Sequence, residues 1–79
     1  MKTNWYRADF EVTINGEKHY PDAEYYTAES DAQAIEIAQN LAKNGWDYAD
    51  VVEHVNGELM SVVLVDADNE FVDIKTIWG

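Results

Sequence analysis

The sequence predicts one α+β domain over residues 1–79, an antiparallel β-sheet in ββαβββ order with one α-helix packed on one face. Three observations carry this expectation. Residues 5–14 alternate apolar and polar side chains at the period of a half-buried strand. The segment after Ser30 repeats apolar side chains at helical spacing behind a capping sequence. Asn-Gly pairs then stand at Asn15-Gly16 and Asn56-Gly57, a dipeptide suited to tight hairpins because both central residues of a type I′ turn need positive φ.

In the first strand, Tyr6, Ala8, Phe10, Val12 and Ile14 share one face; Trp5, Arg7, Asp9, Glu11 and Thr13 share the other. A second strand is expected over 17–28. Pro21 lies inside it and has no N–H to give a ladder, so this strand is an edge, or is bulged or broken near Tyr20-Pro21, and its facing stays open. Ser30 and Gln33 form a capping box, with Glu29 and Asp31 at the positive end of the helix dipole. Ala34, Ile35, Ile37, Ala38, Leu41 and Ala42 make the apolar stripe, and Asn44-Gly45 supplies the stop, with Lys43 at the negative end. A third strand is predicted over about 49–55, a hairpin at Asn56-Gly57, and a fourth strand over 59–65. That fourth strand is apolar on both faces apart from Ser61 and therefore central. A turn at residues 66–69 leads to a last strand over 71–78, with Val72, Ile74 and Trp78 on one side. The segments Ile14-Asn15-Gly16-Glu17 and Val55-Asn56-Gly57-Glu58 read as one turn chemistry used twice.

No cysteine is present, so neither a disulfide nor a thiolate site supports the fold. Packing must suffice, and a hydrophobic content of 47% supplies the material. No apolar run approaches the ~18 residues that span a bilayer. Met1-Lys2-Thr3-Asn4-Trp5 runs into the strand pattern without the apolar core of a signal peptide, which predicts a cytoplasmic protein. Five Lys and Arg face sixteen Asp and Glu, a net charge of −11. That excess repels nucleic acid and anionic membranes and favours a basic partner.

Chemistry is sparse. Ser30 is committed to a helix cap and Ser61 to a central strand, while His19 and His54 flank turns, so no activated nucleophile is expected. Pairs of carboxylates abound, but general acid–base work needs a cleft that separates their pKa values, and one helix on one sheet offers little room for one. Residues 66–70 begin like a calcium loop, yet Phe71 stands where that loop needs glycine and Ile77 where it needs glutamate. The expectation is a non-enzymatic protein without metal or cofactor.

The acids are interleaved with apolar residues, so folding fixes their positions. Asp9 and Glu11 project from one strand face about 6.6 Å apart, twice the strand rise. Asp22 and Glu24 repeat the spacing, as do Asp66, Asp68 and Glu70; Asp47, Asp50 and Glu53 add a further set, and Asp73 follows the last turn. Such an ordered array of anions is what a nucleic-acid backbone presents to a basic channel. Trp5 falls beside Asp9 and Glu11, and Tyr20, Tyr25, Tyr26, Trp46 and Tyr48 exceed what so small a core can hold. Aromatic anchors with a carboxylate rim describe a protein-binding surface; rings covering a thin core are the alternative.

In size, charge, absence of cysteine and layout, the whole chain resembles the small acidic phage-encoded anti-CRISPR proteins that mimic DNA. Residues 28–38, a strand end feeding a capped helix, recur in many small phage and plasmid α+β proteins. The resemblance implies stoichiometric blocking of the DNA-binding surface of a CRISPR effector or comparable defence enzyme, in the cytoplasm of an infected bacterium. Two other readings stand beside it: an acidic interaction module or small phage structural protein, monomeric or homodimeric, and a surface charged only for solubility at high salt.

Overall fold

A computed structural model describes residues 2–44 and 55–79. Its elements are β1 (Asn4–Ile14), β2 (Glu17–His19), β3 (Glu24–Ala28), α1 (Asp31–Asn44), β4 (Val55–Asp66), a short 3₁₀ turn (Ala67–Asn69) and β5 (Val72–Trp78). They form a five-stranded antiparallel sheet with one helix against it, an α+β fold in the order βββαββ. β1 pairs with β4 along one side and with both β2 and β3 along the other; β5 closes the far edge of β4.

The expected second strand is two strands. Pro21 lies in the gap between His19 and Glu24, and both pieces pair with β1 around it. A residue without an N–H interrupts the ladder, and the chain resumes pairing once past it. The register also resolves the facing: Tyr26 lies opposite Tyr6 on the helix side, while Tyr25 lies opposite Arg7 on the other face.

The first Asn-Gly pair makes its turn, with Asn15 at φ 51° and Gly16 at φ 83°. The second does not, which corrects the expected hairpin. Asn56 and Gly57 are extended within β4, paired with Thr13 and Val12. Neighbouring strand pairing overrides a local turn preference because each dipeptide can also adopt extended backbone. The repeated segment is therefore a turn once and a strand once, and the two copies touch, with Ile14 opposite Val55. The predicted fourth strand thus extends back to Val55; of the predicted third strand, residues 49–54 lie outside the described residues, as does Gly45 of the helix stop.

The helix cap forms as the sequence implies. The Gln33 N–H donates to Ser30 Oγ at 3.1 Å, and Gln33 Oε1 accepts from the Glu29 N–H at 2.7 Å, one residue earlier than the usual capping box. α1 turns Ala34, Ala38 and Ala42 fully inward, with Ile35, Ile37 and Leu41 at the margins. Small side chains at i, i+4 and i+8 let the helix backbone approach the sheet closely. Beneath it lie Tyr6, Ala8, Phe10, Ala28, Leu59 and Val62. The buried Tyr6 hydroxyl donates to Asp31 Oδ1 at 2.8 Å, and the Tyr26 hydroxyl donates to the Ala34 carbonyl at 2.6 Å, so these phenols pin the start of the helix.

β5 breaks its expected alternation. Register shifts leave Ile77 and Ile74 without a partner on β4, so Val72 and Trp78 keep one parity while Ile74 sits in a bulge. Bulges twist an edge strand away from a flat template for further pairing.

Candidate protein-binding surface

Among the described residues no element covers the sheet face opposite α1. Strand parity places Trp5, Arg7, Asp9 and Glu11 there from β1, Tyr25 from β3, Glu58, Ser61, Val63 and Val65 from β4, and Asp73 from β5. Val63 and Val65 are nonetheless only 4% and 3% exposed within a single chain. The apolar second face of the central strand therefore needs no second copy to bury it.

Arg7, the one arginine of the sequence, organises this face. Its Nη1 donates to Asp73 Oδ1 at 2.6 Å and its Nη2 to Asp73 Oδ2 at 3.4 Å, a fork across β4 from β1 to β5. Its Nε donates to Asp9 Oδ2 at 3.2 Å, and the Ser61 hydroxyl donates to the same oxygen at 3.1 Å. The bond to Asp73 raises the guanidinium pKa further, against the opposing effect of burial. Farther along β1, Glu11 is held by Lys18 at 3.6 Å and by the Tyr20 hydroxyl at 3.1 Å, directly opposite Glu58. Two of the five cations are thus engaged by acids of this one face.

Above Arg7, three rings from three elements meet. Phe71 stands edge-on to Trp5 with centroids 5.5 Å apart and tilted against Tyr25 at 5.0 Å. All three keep large exposed areas: 38% for Trp5, 46% for Tyr25 and 38% for Phe71. Phe71 reaches them through an unusual backbone. The Asp66 carboxylate accepts from the Asp68 N–H and starts the 3₁₀ turn, Glu70 and Phe71 follow at φ 54° and 59°, and the Phe71 N–H closes onto the Asp66 carbonyl at 2.8 Å. Two successive residues with side chains in the left-handed region carry strain that glycine would avoid.

The predicted site residues do not form one surface. Asp9, Glu11, Asp73 and Trp5 share the open face. Asp66, Asp68 and Glu70 cluster on the 3₁₀ turn at its end, next to the aromatic rings. Asp22 is in the loop before β3, and Glu24, opposite Ala8, projects to the helix side. Asp47, Asp50 and Glu53 lie outside the described residues. Sequence reasoning passed over Arg7, Glu58 and Phe71 as members of the surface, whereas Tyr25 was among the rings expected to exceed the core. For Arg7 the parity of β1 held the signal; for Glu58 and Phe71 only strand pairing and the 3₁₀ turn bring them in.

Among the described residues no helix is long and apolar enough to cross a membrane, and no group of His, Asp and Glu is placed to hold a metal ion. No protein-family model, curated protein or solved structure matches this chain.

Proposed function

We propose that this chain is a non-enzymatic inhibitor that docks on the basic, nucleic-acid-binding surface of another protein and keeps nucleic acid off it. The resemblance to acidic phage inhibitors makes a CRISPR effector or similar bacterial defence enzyme the expected target, met in the host cytoplasm. The observation that carries the proposal is the disposition of charge. The chain carries a net −11. Among the described residues Asp9, Glu11, Glu58 and Asp73 stand on the open sheet face and Asp66, Asp68 and Glu70 on the turn at its end, while two of the five cations, Arg7 and Lys18, are taken up by internal pairs with Asp73, Asp9 and Glu11. What the scaffold offers outward is anionic, held at strand and turn positions that a cationic groove can engage.

The reading assigns the chain no chemical step: the Ser30 hydroxyl caps α1 and the Ser61 hydroxyl is bonded to Asp9. A second reading, an acidic protein-interaction module, is favoured by the exposed Trp5, Tyr25 and Phe71, since rings of this kind anchor protein interfaces. The discriminating experiment is competition. A purified effector ribonucleoprotein is titrated with the chain in the presence of labelled target duplex at about 50 and about 300 mM salt. Displacement of duplex at near-equal stoichiometry, weakening steeply with salt, is the expected result. Binding to the effector that leaves the duplex in place selects the interaction-module reading. No binding at either salt, across effectors of several types, refutes the inhibitor proposal.

A further inference from the structure

We infer that the docking centre is the end of the open face where Trp5, Tyr25 and Phe71 meet, and that its occupant is a basic polypeptide segment presenting arginine side chains. This rests on the charge reading above and specifies which face docks and with what chemistry.

Three independent features converge there. First, the rings are exposed and belong to β1, β3 and the segment after the 3₁₀ turn, so a rigid sheet sets their relative positions. Second, the backbone spends strain at Glu70 and Phe71, both left-handed, to bring Phe71 to that place. Third, a groove of about 360 Å³ adjoins Trp5 where β1 begins and β4 ends. Its lining combines Trp5, Leu64 and Ile74 with Asp66, Asp68 and Lys2, and because Leu64 lies opposite Tyr6 the groove crosses the end of the sheet toward the helix side. An apolar wall ending in carboxylates suits a long side chain with an aliphatic stem and a cationic head.

Arginine fits better than lysine. Its planar guanidinium stacks on aromatic faces and forks onto carboxylates, whereas an ammonium is a strongly hydrated point charge. A second copy of this chain is the poorer occupant, because its −11 would set like charges against Asp66, Asp68 and Glu70. Arg7 and Lys18 of the open face are occupied by Asp73, Asp9 and Glu11, while Lys2 lines the groove beside Asp66 and Asp68 and leaves these three with one net negative charge.

The test titrates the full chain with nona-arginine and with nona-lysine peptides at about 150 mM salt, followed by residue-resolved amide NMR. Perturbations should concentrate at the start of β1, in β3, and from the end of β4 through Phe71 into β5. Nona-arginine should bind about two- to fivefold more tightly than nona-lysine. Trp5→Leu and Phe71→Leu should each weaken nona-arginine binding by about tenfold and erase its advantage, while Glu36→Gln on the exposed side of α1 leaves it unchanged. Folding of each variant is checked by its amide spectrum, and Phe71→Leu, at an exposed position, serves if Trp5→Leu fails to fold. Perturbations spread evenly or centred on α1, or equal affinities for the two peptides, overturn the placement while leaving the acidic-inhibitor reading intact. No binding of either peptide even at about 20 mM salt overturns both.

Discussion

Replacing Arg7 by methionine tests how the open face is held together. The guanidinium ties β1 to β5 across β4 through side chains, with Asp73 taken by two N–H groups and Asp9 by a third. Methionine keeps an apolar stem beside Val63, so the loss is electrostatic and not a cavity. Asp9 retains the Ser61 hydroxyl, and Asp73, 57% exposed, is solvated again by water. No buried charge is orphaned, so the cost belongs to the range of exposed pairs, about 0.2–1 kcal/mol for each partner. Two partners, discounted for solvent, give about 1 kcal/mol in total, which for a domain of this size is a fall in Tm of about 4–8 °C. The assay is thermal unfolding by circular dichroism at low salt and at about 0.5 M salt, where screening should shrink the difference. Because the substitution also raises the net negative charge, Asp73→Asn and the double variant complete a cycle, and the coupling energy should be about 0.5–1 kcal/mol. Melting of Arg7→Met within about 1 °C of the parent, or a cycle with no coupling, would refute the bridging role.

Two other outcomes follow from the core. Ala38→Leu forces a large side chain between α1 and the sheet where Ala38 has no exposed surface, and should cost about 1–3 kcal/mol by denaturant unfolding; Glu36→Gln on the outer face should stay within about 0.5 kcal/mol. Burial pushes the Tyr26 phenol up to about 12, with the neighbouring Tyr6 adding to the shift, and burial with the Asp31 hydrogen bond raises Tyr6 as well. The native state therefore holds protons that the unfolded chain releases near pH 10, so stability is full below about pH 10 and declines as pH rises toward 12. Melts across that interval should show the decline, and Tyr26→Phe should flatten it; an unchanged slope in the variant would contradict the assignment.

The α+β class, β1 with its two faces, the capped helix and the Asn15-Gly16 turn were legible in the sequence because each is set by neighbours a few residues away. Alternation, helical spacing and the need for positive φ are local properties. Pro21 likewise announced a defect in its strand, though not that both pieces would pair with β1. The surface was legible only in part. Asp9, Glu11 and Trp5 share a face by parity alone, but the set to which they were joined scatters over the open face, the 3₁₀ turn, the β2–β3 loop and the helix side.

By itself the sequence determined the charge, the lack of thiols, the helix and its cap, and the alternation of β1. Only the tertiary structure decided that Asn56-Gly57 extends where Asn15-Gly16 turns, because pairing with Val12 and Thr13 outweighs a preference worth little on its own. Only the tertiary structure brought Phe71 onto Trp5 and Tyr25 and set Arg7 between Asp9 and Asp73. Contacts between residues far apart in the chain depend on register, bulges and a left-handed turn, and no local pattern encodes the sum of those choices.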